Sequence, residues 1–125
     1  MIASGWGSAD PRGTWEGMPA VLQLANMTIV DRAECGGVWG NWTDANSDGQ
    51  MDENMLCAND GPVGVCLGDS GGPLVALNRG RFELIGSPAL VDVPCGSSHF
   101  HDVFADVFHV RGWVEEHAGE ECRGK

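Results

Sequence analysis

Gly68-Asp69-Ser70-Gly71-Gly72-Pro73-Leu74-Val75 sets a serine in a turn of glycines that runs directly into an apolar strand. An acyl-transfer nucleophile needs a hydroxyl on a tight turn with free backbone N–H groups beside it, because those groups hold the oxyanion of the tetrahedral intermediate. Glycines permit such a turn. Ser70 is therefore read as a nucleophile, and the N–H groups of Gly68 and Ser70 as the oxyanion donors, since a missing side chain at Gly68 lets a substrate carbonyl come close. Asp69 is expected to support this loop through an internal ion pair. A short Gly-x-Ser-Gly is ordinarily a β-turn with an incidental serine, and it is the eight-residue length that favours chemistry here.

The octet resembles the nucleophile motif of the trypsin/chymotrypsin family of serine endopeptidases, and the resemblance continues in order along nearly the whole chain. Ala3-Ser4-Gly5-Trp6-Gly7 is similar to the segment where that family's second β-barrel begins. Asn54-Met55-Leu56-Cys57-Ala58 resembles the strand entering its specificity pocket, and Asp102-Val103-Phe104-Ala105-Asp106-Val107 the strand behind that pocket. Val110 and Trp113 fall where the family's closing helix packs. Only the second half of a two-barrel fold is covered. The resemblance implies an all-β chain: a six-stranded antiparallel Greek-key barrel over residues 1–107, a helix at 108–118, an acidic tail at 119–125, and no N-terminal barrel.

Composition agrees with one small domain. The chain has 125 residues, 42% of them hydrophobic, and nineteen glycines that fit short strands joined by turns. A formal charge of −11 with only seven Lys and Arg argues against nucleic acid, which requires a basic stripe. Glu115, Glu116, Glu120 and Glu121 read as a solvated helix end. No stretch is long and apolar enough to span a bilayer, so no membrane partner is expected. No signal peptide precedes Ala3; the resemblance places an export signal and the first barrel upstream, and an extracellular or periplasmic location.

Five cysteines in an exported family read as disulfides with one left over. By resemblance Cys35 pairs with Cys57 and Cys66 with Cys95, leaving Cys122 without an obvious partner. Reduced thiols are the alternative, and no Cys-x-x-Cys spacing supports zinc.

Asp44-Ala45-Asn46-Ser47-Asp48-Gly49-Gln50-Met51-Asp52-Glu53 alternates oxygen ligands at Asp44, Asn46 and Asp48, bends at a glycine, and continues through Gln50 and Asp52. This follows the first nine positions of a calcium loop, but Met55 stands where the bidentate glutamate belongs. A polar turn-forming loop is the competing reading. A bound calcium would be structural, and catalysis needs no cofactor.

The resemblance places Gly64 at the base of the primary specificity pocket, with Val65 beside it, Val91 narrowing one wall and Asp102 deep at the back, buried and hydrogen-bonded. An uncharged floor with valine walls implies a small or medium aliphatic P1 residue, as in the elastase-type members, since desolvating an unpartnered lysine is costly. Leu74 to Leu77 and Arg81 to Gly86 read as a hairpin across Asn78-Arg79-Gly80. Ala89-Leu90-Val91 becomes the edge that pairs with an extended substrate. Ala89 lacks the hydroxyl that in the family supports the triad aspartate. His99 and His101 are expected in an exposed loop, and Val110, Trp113, Val114 and His117 on the barrel side of the helix.

A serine nucleophile needs a general base with an orienting carboxylate, and the family takes both from its first barrel. None of His99, His101, His109 or His117 lies in a matching motif, and the resemblance places the free N-terminus that would pair with Asp69 in the same missing half. The expectation is therefore the pocket half of a serine endopeptidase, acting on a polypeptide substrate when joined to the missing N-terminal half and inactive alone. The alternative is a non-catalytic calcium- or protein-binding homologue or a gene fragment.

Overall fold

The computed structural model describes residues 1–43, 51–59, 61–97 and 99–118. Strands β1 (Ile2–Gly5), β2 (Gln23–Asn26), β3 (Thr28–Val30), β4 (Met55–Asn59), β5 (Leu74–Asn78), β6 (Arg81–Leu90) and β7 (Asp102–Asp106) form one antiparallel sheet in the order β2-β1-β5-β6-β7-β4-β3. The outermost strands of that order are one stretch of chain, because only Met27 separates β2 from β3. Ala25 pairs with Ala3 of β1, while Ile29 pairs with Ala58 of β4. A segment that pairs with both edges closes the sheet into a barrel. Seven strands thus replace the six expected, and the extra one arises from the break at Met27. Met1 completes the corner: its amino group donates to the Met27 carbonyl at 3.0 Å, and the Met27 N–H donates to the Met1 carbonyl at 2.9 Å.

The barrel interior holds Ala3, Met27, Ala58, Val65, Leu74 and Phe104. Leu74 and Phe104 are fully buried, each contributing about 1.5–3 kcal/mol of transfer free energy. The β5–β6 hairpin turns at Arg79 and Gly80, both at positive φ (48° and 81°), the conformation of a two-residue primed turn. β6 extends four residues past the expected hairpin, following β7 to Leu90 with an irregularity at Ala89.

Helix α1 (Arg32–Thr43) was not expected from the sequence. Asp31 starts it, its carboxylate accepting the Ala33 N–H at 2.8 Å. Cys35 and Trp39, one turn apart, are buried in a second cluster with Met51, Cys57 and Val103. The Trp39 indole N–H donates to the His101 carbonyl at 2.7 Å, and its ring meets Phe100 edge-on at 5.7 Å. His101, expected to be exposed, is 8% exposed. Its Nδ1 lies 2.9 Å from the Asn59 amide nitrogen, and its Nε2 3.3 Å from Glu34 of α1. The unforeseen helix covers it, whereas His99 is exposed as expected.

Helix α2 (Val107–His117) begins one residue before the expected boundary, capped by Asp106, whose carboxylate accepts the Phe108 N–H at 2.9 Å. The expected inward stripe is not packed. Val110, Val114 and Trp113 are 42%, 43% and 64% exposed, and His117 stacks on Trp113 at 4.6 Å rather than entering the barrel. Among the described residues α2 meets β6 as its main neighbouring element, and its apolar residues stay exposed there. Among the described residues no helix is long and apolar enough to cross a membrane.

Candidate active site

The glycine-flanked serine lies between the barrel's pocket-side loop and β5. Gly68 and Gly71 adopt positive φ (99° and 81°), a conformation in which an L side chain would be strained. The turn is fixed by three backbone bonds: Asp69 N–H to the Cys66 carbonyl (3.0 Å), Gly72 N–H to the Asp69 carbonyl (2.9 Å) and Gly71 N–H to the Pro88 carbonyl (3.2 Å). Ser70 is exposed. Its N–H and that of Gly68 are the two amides of the turn without an acceptor among the described residues. Two exposed, unspent donors flanking a serine can hold an anion.

The free N-terminus expected to pair with Asp69 belongs, by the resemblance, to the missing half, and this chain shows how the carboxylate is held without it. Among the described residues Asp69 meets no cation; the three salt bridges lie elsewhere, Arg12–Asp10, His101–Glu34 and Arg111–Glu115. Its carboxylate instead accepts the Gly7 N–H at 2.8 Å and the Cys66 N–H at 3.0 Å, satisfying a turn charge with backbone dipoles. Gly5 and Gly7 have a steric reason to be glycine, because a Cβ on either would overlap this carboxylate. The sequence signal was the Gly-Trp-Gly spacing; its meaning needed a partner 62 positions away. A cavity of about 180 Å³ opens beside Asp69, lined by Gly5, Gly7, Leu24 and Val65 among others.

Behind the turn, Asp102 is 6% exposed and accepts the Val65 N–H at 2.8 Å, as the sequence led us to expect. Burial pushes its carboxyl up to about 6; the Val65 hydrogen bond opposes that shift and the nearby Asp69 charge adds to it. A Cβ on Gly64 would overlap the Asp102 carboxylate, so Gly64, Val65 and Asp102 form one packed unit. Val91 packs on the interior cluster. Ala89 and Leu90 are exposed; Leu90 pairs with Val103 of β7, Ala89 is skipped by that ladder, and β5 stops opposite Gly86. The loop before this unit is held by the Cys66–Cys95 disulfide (Cα–Cα 5.5 Å) and by the Cys95 N–H to the Pro11 carbonyl at 2.7 Å. The Cys35–Cys57 disulfide (Cα–Cα 6.3 Å) ties α1 to β4.

Other expected residues are not brought to this site. No histidine hydrogen-bonds Ser70 among the described residues; His101 and His117 are committed to Asn59 and the Trp113 carbonyl. Asp44, Asn46, Asp48, Gln50 and Cys122 lie outside the described residues. Asp52 is described, and the Arg32 guanidinium donates to its carbonyl and to those of Met51 and Glu53. Among the described residues no group of three His, Cys, Asp or Glu side chains is placed to hold a metal.

A closed antiparallel barrel carrying an exposed serine in a glycine turn places this chain in the class of serine-protease barrels. The sequence model of the Trypsin family matches residues 1–114, and the chain belongs to that family. It is similar to human mannan-binding lectin serine protease 1, 30% identical over 123 residues, which are 95% of this chain and 16% of that protein. It is 33% identical to trypsin epsilon of Drosophila erecta over 120 residues, 95% of this chain and 42% of the relative. Glandular kallikrein of Sus scrofa is 29% identical over 116 residues, 91% of this chain and 42% of that protein. The chain spans less than half the length of these relatives.

Proposed function

We propose that the chain is the nucleophile-and-pocket half of a serine-type endopeptidase, which hydrolyses peptide bonds through an acyl-enzyme when joined to a complementary barrel. Ser70 Oγ attacks the scissile carbonyl carbon, and the N–H groups of Gly68 and Ser70 take the oxyanion. The general-base histidine and its orienting carboxylate come from the other half, so the isolated chain is inactive. The observation that carries this reading is the exposed Ser70 with two unspent amides beside it in a turn fixed by Asp69. The uncovered side of α2, with Trp113 64% exposed, supports a surface completed by that other half.

The reading extends to specificity and setting. Gly64, Val65 and Val91 admit a small or medium aliphatic P1 residue, with Ala89 and Leu90 offering their free side to the substrate backbone. Two disulfides support an extracellular or periplasmic location. Residues 44–52 hold a structural calcium ion that takes no part in the chemistry. Ala89, without a hydroxyl to support a triad aspartate, favours a second reading: a barrel that keeps the scaffold and binds protein without cleaving it.

A fluorophosphonate serine probe separates these readings. The isolated chain should not be labelled, the chain joined to a complementary protease barrel should be, and Ser70→Ala should abolish labelling. Rapid Ser70-dependent labelling of the isolated chain would overturn the need for a second half. Absence of labelling in every joined form favours the non-catalytic barrel.

A further inference from the structure

Met18 follows the 3₁₀ turn at Trp15–Gly17, in an extended conformation (φ −66°, ψ 121°), and its thioether reaches onto the serine turn. A Cβ built on Gly68 would meet the Met18 Cε methyl at 2.9 Å and its Sδ at 3.4 Å. The side of Gly68 from which a side chain would project is therefore covered by a methionine. Met18 is half-buried, whereas Met27 and Met51 are each 3% exposed. The polarisable sulfur of a half-buried residue thus lies against the residue that presents one of the two unspent amides.

Resting on the reading of that turn as an oxyanion site, we propose that Met18 is a peroxide-sensitive modification site whose oxidation disables the turn. The thioether sulfur takes one oxygen atom from a hydroperoxide and gives up two electrons; hydrogen peroxide is reduced to one water, and the side chain becomes a sulfoxide. That product is polar and carries a strong acceptor oxygen where an apolar methyl sulfide had been. Its oxygen competes for the Gly68 N–H that a tetrahedral intermediate requires, and its added bulk presses on a turn where Met18 and the Gly7 backbone already leave no room for a side chain at Gly68. A methionine sulfoxide reductase reverses the change.

The test uses the full chain, labelled with ¹⁵N, under graded hydrogen peroxide. Peptide mass analysis follows Met18, Met27 and Met51, and the amide resonances of Gly68 and Ser70 are recorded in parallel. Met18 should oxidise about tenfold faster than the two buried methionines, since susceptibility follows exposure. The Gly68 amide should shift in step with sulfoxide formation and return after reductase treatment. Met18→Leu should show no shift at the same dose. Equal oxidation rates, or an unmoved Gly68 amide once Met18 is fully oxidised, overturn the proposal. Probe labelling of the joined protein before peroxide is scored separately: its absence removes the endopeptidase reading while a Gly68 response stands, and labelling that survives complete Met18 oxidation removes the methionine switch alone.

Discussion

The Asp102 carboxylate lies against the α-carbon of Gly64 and takes the next amide, Val65 N–H, at 2.8 Å, so a buried acid sits beneath both residues assigned to the pocket floor. No cation in the described salt bridges meets it. Its stability cost therefore depends on protonation. Because burial raises the folded-state value to about 6 from an ordinary 3.8, the folded chain binds this proton more tightly than the unfolded chain does. The resulting stabilisation is fully present below pH 3.8 and is lost as pH rises through about 6. Its upper bound is about 3 kcal/mol, two pKa units at 1.36 kcal/mol each. Asp102→Asn, which keeps an acceptor for Val65, should flatten the stability profile between pH 4 and 6 and raise the urea midpoint at about pH 8. An unchanged profile would mean that Asp102 is not the titrating group.

Gly64→Ala should destabilise by about 1–3 kcal/mol, because the added methyl must displace the Asp102 carboxylate. A double-mutant cycle with Asp102→Ala isolates the clash. Removing the carboxylate should recover at least half of the Gly64→Ala loss, and simple additivity of the two substitutions would place the steric cost elsewhere.

The two disulfides should each add about 3 kcal/mol in the chain-entropy description, since they close loops with sequence separations of 22 and 29. Reduction with dithiothreitol should lower the thermal midpoint. Cys35→Ala/Cys57→Ala should melt α1 preferentially, seen as lost helical circular dichroism, because the bond joins that helix to β4. Loss of barrel signal at the same temperature as α1 would show that the helix is not a separable unit.

Calcium should raise the thermal midpoint of the chain if residues 44–52 hold it, by about 2.7 kcal/mol of added stability at a hundredfold excess over Kd. Asp48→Asn should abolish most of the shift. A midpoint indifferent to calcium and to that substitution would make the stretch a turn-forming surface loop.

What the sequence revealed was what its local chemistry carries. The glycine turn around Ser70, the Asn78-Arg79-Gly80 hairpin and the collinear family segments each lie in consecutive residues, and the barrel follows from their order. Helix α1 was hidden because Gly36, Gly37 and Gly40 are poor helix formers. Its support comes from far away, through Cys57 and the His101 carbonyl. His101 was misread for the same reason, since the helix that buries it was not foreseen. The Gly7 and Cys66 amides that hold Asp69 in this chain lie in separate segments, which no local window contains. The apolar residues of α2 were rightly found on one helix but wrongly assigned a covering surface, because periodicity gives a stripe and not its partner.

The continuous segment at Met27 also governs the order in which the molecule can assemble. Its residues must wait for both neighbours: Ala25 pairs with Ala3 near the beginning of the chain, while Ile29 pairs with Ala58. β1 in turn needs Leu74 and Val75, and β4 needs β7 at the far end. The β5–β6 hairpin is the seam closed by the shortest connection, whereas β1–β5 and β4–β7 join strands far apart in the chain, which makes that hairpin the natural nucleus and the closing of residues 23–30 a late event. Until β7 has left the ribosome, the earlier strands keep unpaired edges, so during synthesis the chain is exposed to mispairing for most of its length.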